Sequence, residues 1–330
     1  MTPVRIAVVG CGNVSDMHFR GLLAHPDRVQ VVAACDPVAE RRRHVQASYG
    51  VPDTFEDVEQ LLDGAEVGAA VVCTPSQVRL EAVRTLADRG VHVLVEKPMA
   101  DSMEEAEALV ALCRQTGVQL AVNQNFRDHY AFGLAREAIS AGAIGRVIGI
   151  DQRELLFREV QGWRAEAKHH ALAVMGVHWF DGFRYLLPDD ADWLVARTYS
   201  APGLDAAGET DAFVQVHFGD ATVNYTQSFS SHVERVETIV LGERGTLALG
   251  YDAMQLVGED GSSTTTVNPY AGAGKPESAY RSLERLLVAV EEGTEPTNSG
   301  ADNLKTLSLL FAAYASAESG APVTLTNGLL

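Results

Sequence analysis

The stretch from Val4 to Asp36 constrains this chain more than any other. Val4-Arg5-Ile6-Ala7-Val8-Val9 is a short apolar run rich in β-branched residues, and it stops at Gly10-Cys11-Gly12-Asn13-Val14-Ser15. A helix is predicted over Asp16 to Ala24, and a second apolar run, Val29 to Cys35, ends on Asp36. Strand, glycine turn, helix, strand and acid is the order that a dinucleotide site needs. Gly10 can take the tight turn, and Gly12 lets the backbone approach a pyrophosphate, with Asn13 and Val14 completing the cradle. The helix that follows offers unpaired N–H groups and the positive end of its dipole to that anion. Asp36 follows Gly12 by 24 residues, close to the usual place of an acid that binds a ribose diol. An ordinary surface turn would also tolerate Ser15 at the third small position. The flanking apolar runs and the placed acid select the dinucleotide reading. The expected cofactor is NAD. Arg41, Arg42 and Arg43 keep NADP open, but Asp36 would repel its extra phosphate.

Further along, Val67 to Cys73 reads as a buried strand that ends in Thr74-Pro75. His92 to Glu96 reads as another and runs into Lys97-Pro98. In an open α/β sheet, ligands bind beyond the carboxyl ends of the strands. Cys73, Thr74, Pro75, Glu96 and Lys97 therefore join the expected cofactor site, with Asn125 just past the strand Val118 to Val122. A lysine is most often a surface residue, but Lys97 stands at a strand end directly before a proline. Ser102 with Glu105 forms a capping box for a helix running to about Gln115. The pattern changes near residue 123, which divides an expected Rossmann domain (1–123) from a second α/β domain (124–330). Helices are expected over Tyr130–Ser140 and Val174–Leu187, with a long strand at Val147–Leu156 between them. Alternating runs at 193–200, 212–218, 221–230, 236–241 and 246–249 are separated by short turns and read as an open, mostly antiparallel sheet. Helices over 280–292 and 302–319 and a strand at 323–325 close the chain. One sheet face covered by helices leaves the other for a homodimer or homotetramer.

At 330 residues the chain is long for one core, so two domains are expected. A net charge of −18 disfavours a broad nucleic-acid surface. No apolar stretch approaches a membrane span, and the start of the chain leaves no room for a signal peptide. Cys11, Cys35, Cys73 and Cys113 lack metal-site spacing and read as small core residues in a reducing compartment, which makes the cytoplasm the expected location.

Motifs spread over the whole chain resemble the glucose–fructose oxidoreductase and inositol dehydrogenase family, Gfo/Idh/MocA. They are the opening G-C-G-N-V-S with His18, the acid Asp36, C-T-P-S at Cys73–Ser76, E-K-P at Glu96–Pro98, and Asn125-Phe126-Arg127. G-A-I-G-R at Gly142–Arg146, Gly162-Trp163-Arg164, Gly176-Val177-His178 with Asp181, G-E-R-G-T-L at Gly242–Leu247, and Gly320-Ala321-Pro322-Val323 continue the series. The resemblance implies an NAD(P)-dependent oxidoreductase. It also implies a sugar, sugar acid or cyclitol lying between the second-domain sheet and the nicotinamide, and a catalytic pair at Lys97 and His178. The residue types suit that chemistry. A histidine titrates near neutral pH and can take a hydroxyl proton, and a lysine ammonium can stabilise the developing alkoxide. Without the resemblance, His178 would read as a core histidine on an amphipathic helix.

Two positions depart from the family pattern. A carboxylate is usual one turn before the histidine, where this chain has Val174, and a glycine pair is usual where it has His169-His170. Asp181, Glu166 and His169 could supply the missing group. Trp163, Arg164, Lys168, His169, His170, Arg127, Asp181 and His178 are expected to border the substrate. Their positive members suggest a substrate carboxylate or phosphate, although solvated loop charge reads equally well. The histidines show no zinc-site spacing, so no metal is expected. A redox-assisted epimerase, isomerase or glycosidase with tightly held NAD, and a non-catalytic dinucleotide-binding regulator, are the competing readings.

Overall fold

The computed structural model describes residues 2–159, 165–269 and 274–330. It divides into two compact units, Met1–Asn125 with Gly272–Leu304, and Phe126–Ala271 with Lys305–Leu330.

The first unit is built on six strands, β1 (Val4–Val9), β2 (Val29–Cys35), β3 (Asp53–Phe55), β4 (Ala69–Val72), β5 (His92–Val95) and β6 (Leu120–Val122), in the order β3-β2-β1-β4-β5-β6. Every pairing in it is parallel. Parallel strands are covered on both faces, which is why β4 and β5 read as continuous apolar runs and not as alternations. The order turns back at β1, so the carboxyl ends of β1 and β4 flank the point where such sheets take their ligands. Helices α1 (Ser15–Leu23), α2 (Ala39–Tyr49), α3 (Val58–Gly64), α4 (Arg79–Asp88) and α5 (Met103–Thr116) make the crossovers. The Ser102 hydroxyl caps α5 by accepting from the Glu105 N–H at 3.2 Å, and Glu105 reaches back to the Asp101 N–H. Strand β3 and helix α3 go beyond the expected elements. Three residues are too few to carry a periodic signal, and α3 is marked only by its cap, Asp57, whose carboxylate accepts from the Gln60 N–H at 2.8 Å.

The division at residue 123 needs one correction. Helix α8 (Gly274–Glu292) belongs to the first unit, although the linear reading assigns everything after 123 to the second. Its stripe of Tyr280, Leu283, Leu286 and Leu287 joins Ile6, Val8, Phe19 and Leu22 in one core. Tyr280 stacks on His25 with ring centroids 3.6 Å apart. The approach requires Gly21 in α1, because any Cβ there would overlap the Pro276 carbonyl.

The second unit carries α6 (Tyr130–Ser140), β7 (Val147–Phe157), α7 (Val177–Leu186), β8 (Ala191–Tyr199), β9 (Asp211–Phe218), β10 (Ala221–Ser228), β11 (Ser230–Gly242), β12 (Gly245–Leu249), β13 (Ala253–Gly258), β14 (Ser263–Val267) and β15 (Val323–Thr324). Helix α9 (Gly300–Ser319) starts in the first unit and ends in this one. The nine strands run β14-β13-β12-β11-β7-β10-β9-β8-β15, antiparallel apart from the parallel β7–β10 pair. Phe180 and Phe183 of α7 pack edge-on against Tyr225 of β10, which fixes the covered face of the sheet. The helix expected from Val174 opens instead as a π-turn, Leu172–Gly176, which feeds α7. Such turns recur at functional sites.

Candidate functional site

In the first unit the glycine turn has the geometry its sequence implies. Gly10 sits at φ +90°, and a Cβ there would lie 3.0 Å from the Cys73 carbonyl carbon. Only glycine combines that backbone with that contact. A Cβ on Gly12 would meet nothing within 4 Å, so the backbone there faces open space that a ligand can approach. Helix α1 has no side-chain cap at Val14. Its amino end keeps N–H groups for an anion, as a pyrophosphate cradle requires. Asn13 and Val14 form the rest of the turn between Gly12 and α1.

Asp36 ends β2 and is 3% exposed. Its carboxylate accepts from the Cys11 N–H at 2.9 Å and from the Val38 N–H at 2.8 Å, which ties the glycine turn to the start of α2. A carboxylate has about four lone-pair sites, so two backbone bonds leave capacity for a ribose diol. Two of the three arginines that keep an extra phosphate open have partners in the protein. Arg41 lies 3.5 Å from Asp36, and Arg42 donates to the Asp36 and Pro37 carbonyls and reaches Glu56. At the end of β4, the Thr74 hydroxyl is buried without a protein partner, a spare donor and acceptor beside the turn. Together these features fit a bound dinucleotide. Asn125, expected in the same site, donates to the Ser278 hydroxyl of α8 at 3.1 Å.

The ends of β4 and β5 are fastened to each other by a residue that sequence reasoning misses. Arg79, buried at the start of α4, donates to the Thr74 carbonyl at 2.6 Å and to the Pro98 and Met99 carbonyls. It therefore joins Thr74-Pro75 to Glu96-Lys97-Pro98, whose Lys97–Pro98 peptide is cis. A lone arginine at a helix start gives no sequence signal for this. Glu96 is buried and its carboxylate meets His18 and Asn123, each at 2.7 Å.

In the second unit His178 lies in the first turn of α7, 6% exposed, its ring stacked on Phe126 with centroids 4.4 Å apart. Trp179 meets the same Phe126 edge-on, and Tyr251 packs against Phe126, His129 and Trp179. Beneath them the covered sheet face is polar where an apolar layer is the norm. Glu154 is 2% exposed and accepts from the Trp179 indole N–H. Gln152 accepts from Thr238, and Gln227, the cross-strand partner of Glu154, accepts from the Tyr225 hydroxyl at 2.8 Å. Burial, reinforced by the Glu154 charge, pushes the Tyr225 and Tyr251 phenols above their ordinary range. The signal for Glu154 is present in β7: Ile150, Gln152 and Glu154 share the covered face, while Arg153 is exposed.

Several residues expected to border a substrate have protein partners. Arg127 and Asp181 pair with each other, Nε to Oδ2 at 2.6 Å and Nη2 to Oδ1 at 2.7 Å, and Thr306 also donates to that carboxylate. A buried carboxylate demands such partners, and Asp181 finds them in Arg127 and Thr306. His170 is buried edge-on against Phe229, and His169 stacks on Tyr314. Glu209 accepts from the His170 and Leu172 N–H groups and from the Tyr314 hydroxyl, anchoring the π-turn. Val174 packs against the apolar group of Ala171, Leu204 and Phe229. The family's open glycine space is thus filled, and its acid position faces apolar side chains. Lys168 is exposed, and Trp163 and Arg164 lie outside the described residues. Among the described residues no group of three or more His, Cys, Asp or Glu is placed to hold a metal ion, and no helix is long and apolar enough to cross a membrane.

Residues 4–124 match the model of the oxidoreductase family with an NAD-binding Rossmann fold, and residues 132–248 match the GFO/IDH/MocA C-terminal domain. D-apiose dehydrogenase of Paraburkholderia graminis is 30% identical over 97% of this chain and 89% of its own length. The NAD-dependent scyllo-inositol 2-dehydrogenase of Bacillus subtilis is 26% identical over 98% of this chain and 96% of its own. Among solved structures, an oxidoreductase from Agrobacterium radiobacter in complex with NAD+, L-tartaric acid and magnesium superposes with a TM-score of 0.87 at 24% identity, covering 98% of each chain. Levoglucosan dehydrogenase in complex with NADH and levoglucosan does so with a TM-score of 0.86 at 19% identity, over 98% of this chain and 99% of that one. The chain belongs to the Gfo/Idh/MocA family of oxidoreductases and carries its NAD-binding Rossmann domain.

Proposed function

We propose that the protein is an NAD-dependent dehydrogenase acting on a secondary hydroxyl of a neutral sugar or cyclitol. The observation that carries the cofactor half is the cradle of Gly10, Gly12 and Asp36, with Thr74 at the neighbouring strand end. NAD, when bound, supplies the hydride acceptor. His178 takes the hydroxyl proton and Lys97 stabilises the alkoxide that develops. General base work of this kind contributes about 10²–10⁴-fold. The stack on Phe126 holds the His178 ring in one plane, so its ring nitrogens have fixed directions.

A neutral substrate is supported by the partners that three of the expected basic residues find: Arg127 on Asp181, His169 on Tyr314 and His170 against Phe229. The acid on the covered sheet face is the buried Glu154, and Glu209 lies buried against the π-turn. Buried carboxylates and amides beside aromatic rings suit hydroxyl groups and apolar ring faces, not anions. The outer face of the second sheet exposes Tyr199, Phe213 and Leu241, with Trp193 stacked on His217. This supports a homodimer or homotetramer formed through that face. Four free cysteines, three of them buried, support a cytoplasmic location.

The test is nicotinamide absorbance with NAD and with NADP against D-apiose, scyllo-inositol, myo-inositol, D-glucose and D-gluconate, with Lys97→Ala beside the native protein. Stoichiometric reduction with NAD on a neutral compound, lost in the variant, is expected. A preference for gluconate would restore the anionic reading. Altered sugar with a flat nicotinamide signal would move the protein to the redox-assisted class. Tight NAD binding without turnover on any compound would favour a regulator.

A further inference from the structure

The β4–β5 ladder ends at the Val72–Val95 pair and the bond from the Glu96 N–H to the Val72 carbonyl, so the sheet itself does not join the loops beyond it. Arg79 does. It opens α4, is 3% exposed, and its guanidinium reaches both loops. Nη2 donates to the Thr74 carbonyl at 2.6 Å, while Nη1 donates to the Met99 carbonyl at 3.1 Å and to that of Pro98. On the exposed side the Ser76 hydroxyl donates to Asp101 at 2.6 Å, and the Gln77 amide donates to the same carboxylate. The Asp101 N–H is bound in turn to Glu105 of α5. The two loops are thus fastened from within by an arginine and from without by a carboxylate. The inner fastening is the costly one. Among the described residues the hydrogen-bond partners of Arg79 are all carbonyls, and its Nε has none. Burial pushes the guanidinium down to about 10, against the pull of Glu96, Cys73 and Asp101, so it stays charged at neutral pH.

We propose that Arg79 is a positioning residue for the nicotinamide half of the cofactor, setting Thr74-Pro75 and Pro98-Met99 in place before the cofactor binds. A sheet of this order has two mononucleotide-binding halves on either side of its switch point. The half that ends in Asp36 takes the adenosine, which leaves the ends of β4 and β5 to the nicotinamide nucleotide. Loops that are not fastened must be ordered on binding, and that cost is subtracted from affinity. A planar guanidinium suits the task, because its donors diverge in one plane and meet carbonyls of both loops at once. A lysine ammonium on a flexible stem lacks that fork. The residue held most closely is also the one with something to offer. The Thr74 hydroxyl is buried without a protein partner, and the carbonyl of the same residue is the one that Arg79 holds at 2.6 Å.

The inference rests on the dinucleotide reading of the first unit and requires nothing of the substrate. The native protein, Arg79→Met and Arg79→Lys are compared by calorimetry for binding of NAD and of ADP, and by backbone hydrogen exchange without ligand. ADP carries the adenosine and the diphosphate but no nicotinamide nucleotide, so it reports the glycine turn and Asp36 alone. Arg79→Met is expected to weaken NAD by about tenfold or more while ADP affinity stays within about twofold. Exchange should quicken in residues 73–79 and 96–102 and stay native in β1 to β3. Arg79→Lys keeps the charge without the fork and should weaken NAD by about threefold, again with ADP unchanged. Native NAD affinity in either variant would overturn the proposal. So would an equal loss of NAD and ADP, or quickened exchange throughout the unit, since each would mark a general prop of the fold. Should Arg79→Met fail to fold, Arg79→Lys carries the test on the same outcomes. Native protein that binds neither NAD nor ADP would remove the dinucleotide reading itself.

Discussion

The two units build their sites by opposite means. The first uses backbone: a glycine turn, strand ends and an uncapped helix, with the few side chains that matter holding loops together. The second uses side chains set into a sheet face, where Gln152, Glu154 and Gln227 replace the apolar layer that would otherwise lie under α7. Backbone devices need particular residue types, glycine above all, and therefore leave a mark in the sequence. Side-chain devices need only the right phase of an alternation, and many sequences satisfy it.

That contrast can be broken most sharply at the Arg127–Asp181 pair, which serves packing in a region expected to serve ligand binding. Asp181→Asn leaves a buried guanidinium without its counter-charge and should lower unfolding free energy by about 3–5 kcal/mol, measured in urea. Little change, with a large rise in KM, would return Arg127 to the substrate. Glu209→Ala comes next. It removes the acceptor of two N–H groups and a buried phenol, and should cost about 2–3 kcal/mol. The same change should blur the π-turn before His178, seen as a fall in kcat with NAD affinity unchanged. Val174→Asp would restore the usual family acid. Here it would place a charge against Ala171, Leu204 and Phe229, and a loss of about 1–3 kcal/mol is expected in place of a gain in turnover. Faster turnover would mean that the position still faces the chemistry.

The smallest effect belongs to the buried pair of the first unit and its pH dependence. Glu96 is lowered from 4.5 to about 2, so its stabilisation is present above pH 4.5 and lost as pH falls toward 2. His18 is raised from 6.5 to about 10, so its stabilisation is full below pH 6.5 and lost as pH rises toward 10. Thermal melting from pH 3 to 10 should therefore show a shoulder on each side that the double variant His18→Gln/Glu96→Gln lacks. Identical curves would show that the pair does not titrate with folding.

What the sequence shows of the molecule follows the same contrast. Gly10, Gly12 and Asp36 can be placed from the sequence alone, because a strand, a turn and an acid at those intervals suit little besides a bound dinucleotide. The parallel strands of the first sheet are visible as apolar runs, and β8 to β12 as alternations. Asn125 and Arg127 read as ligand contacts from their motif, yet their partners, Ser278 and Asp181, lie 153 and 54 residues away and no local pattern announces them. His169 and His170 stand out as bulky replacements. Their destinations depend on Tyr314 and Phe229, which belong to distant parts of the chain. Arg79 and Glu154 carry no motif and become legible only once strand ends and sheet faces are known.

The return of α8 to the first unit has a consequence for how the protein is made. Its core lacks Tyr280, Leu283, Leu286 and Leu287 until the chain has been translated well past the whole middle of the sequence. At ordinary rates of synthesis, about 5–20 residues per second, the amino-terminal half waits on the order of ten seconds or more for its last helix. A nascent chain stopped near residue 125 would show its apolar seam to chaperones and proteases. Completion of the dinucleotide unit thereby waits until the strands of the second unit's sheet from β7 to β14 have been made.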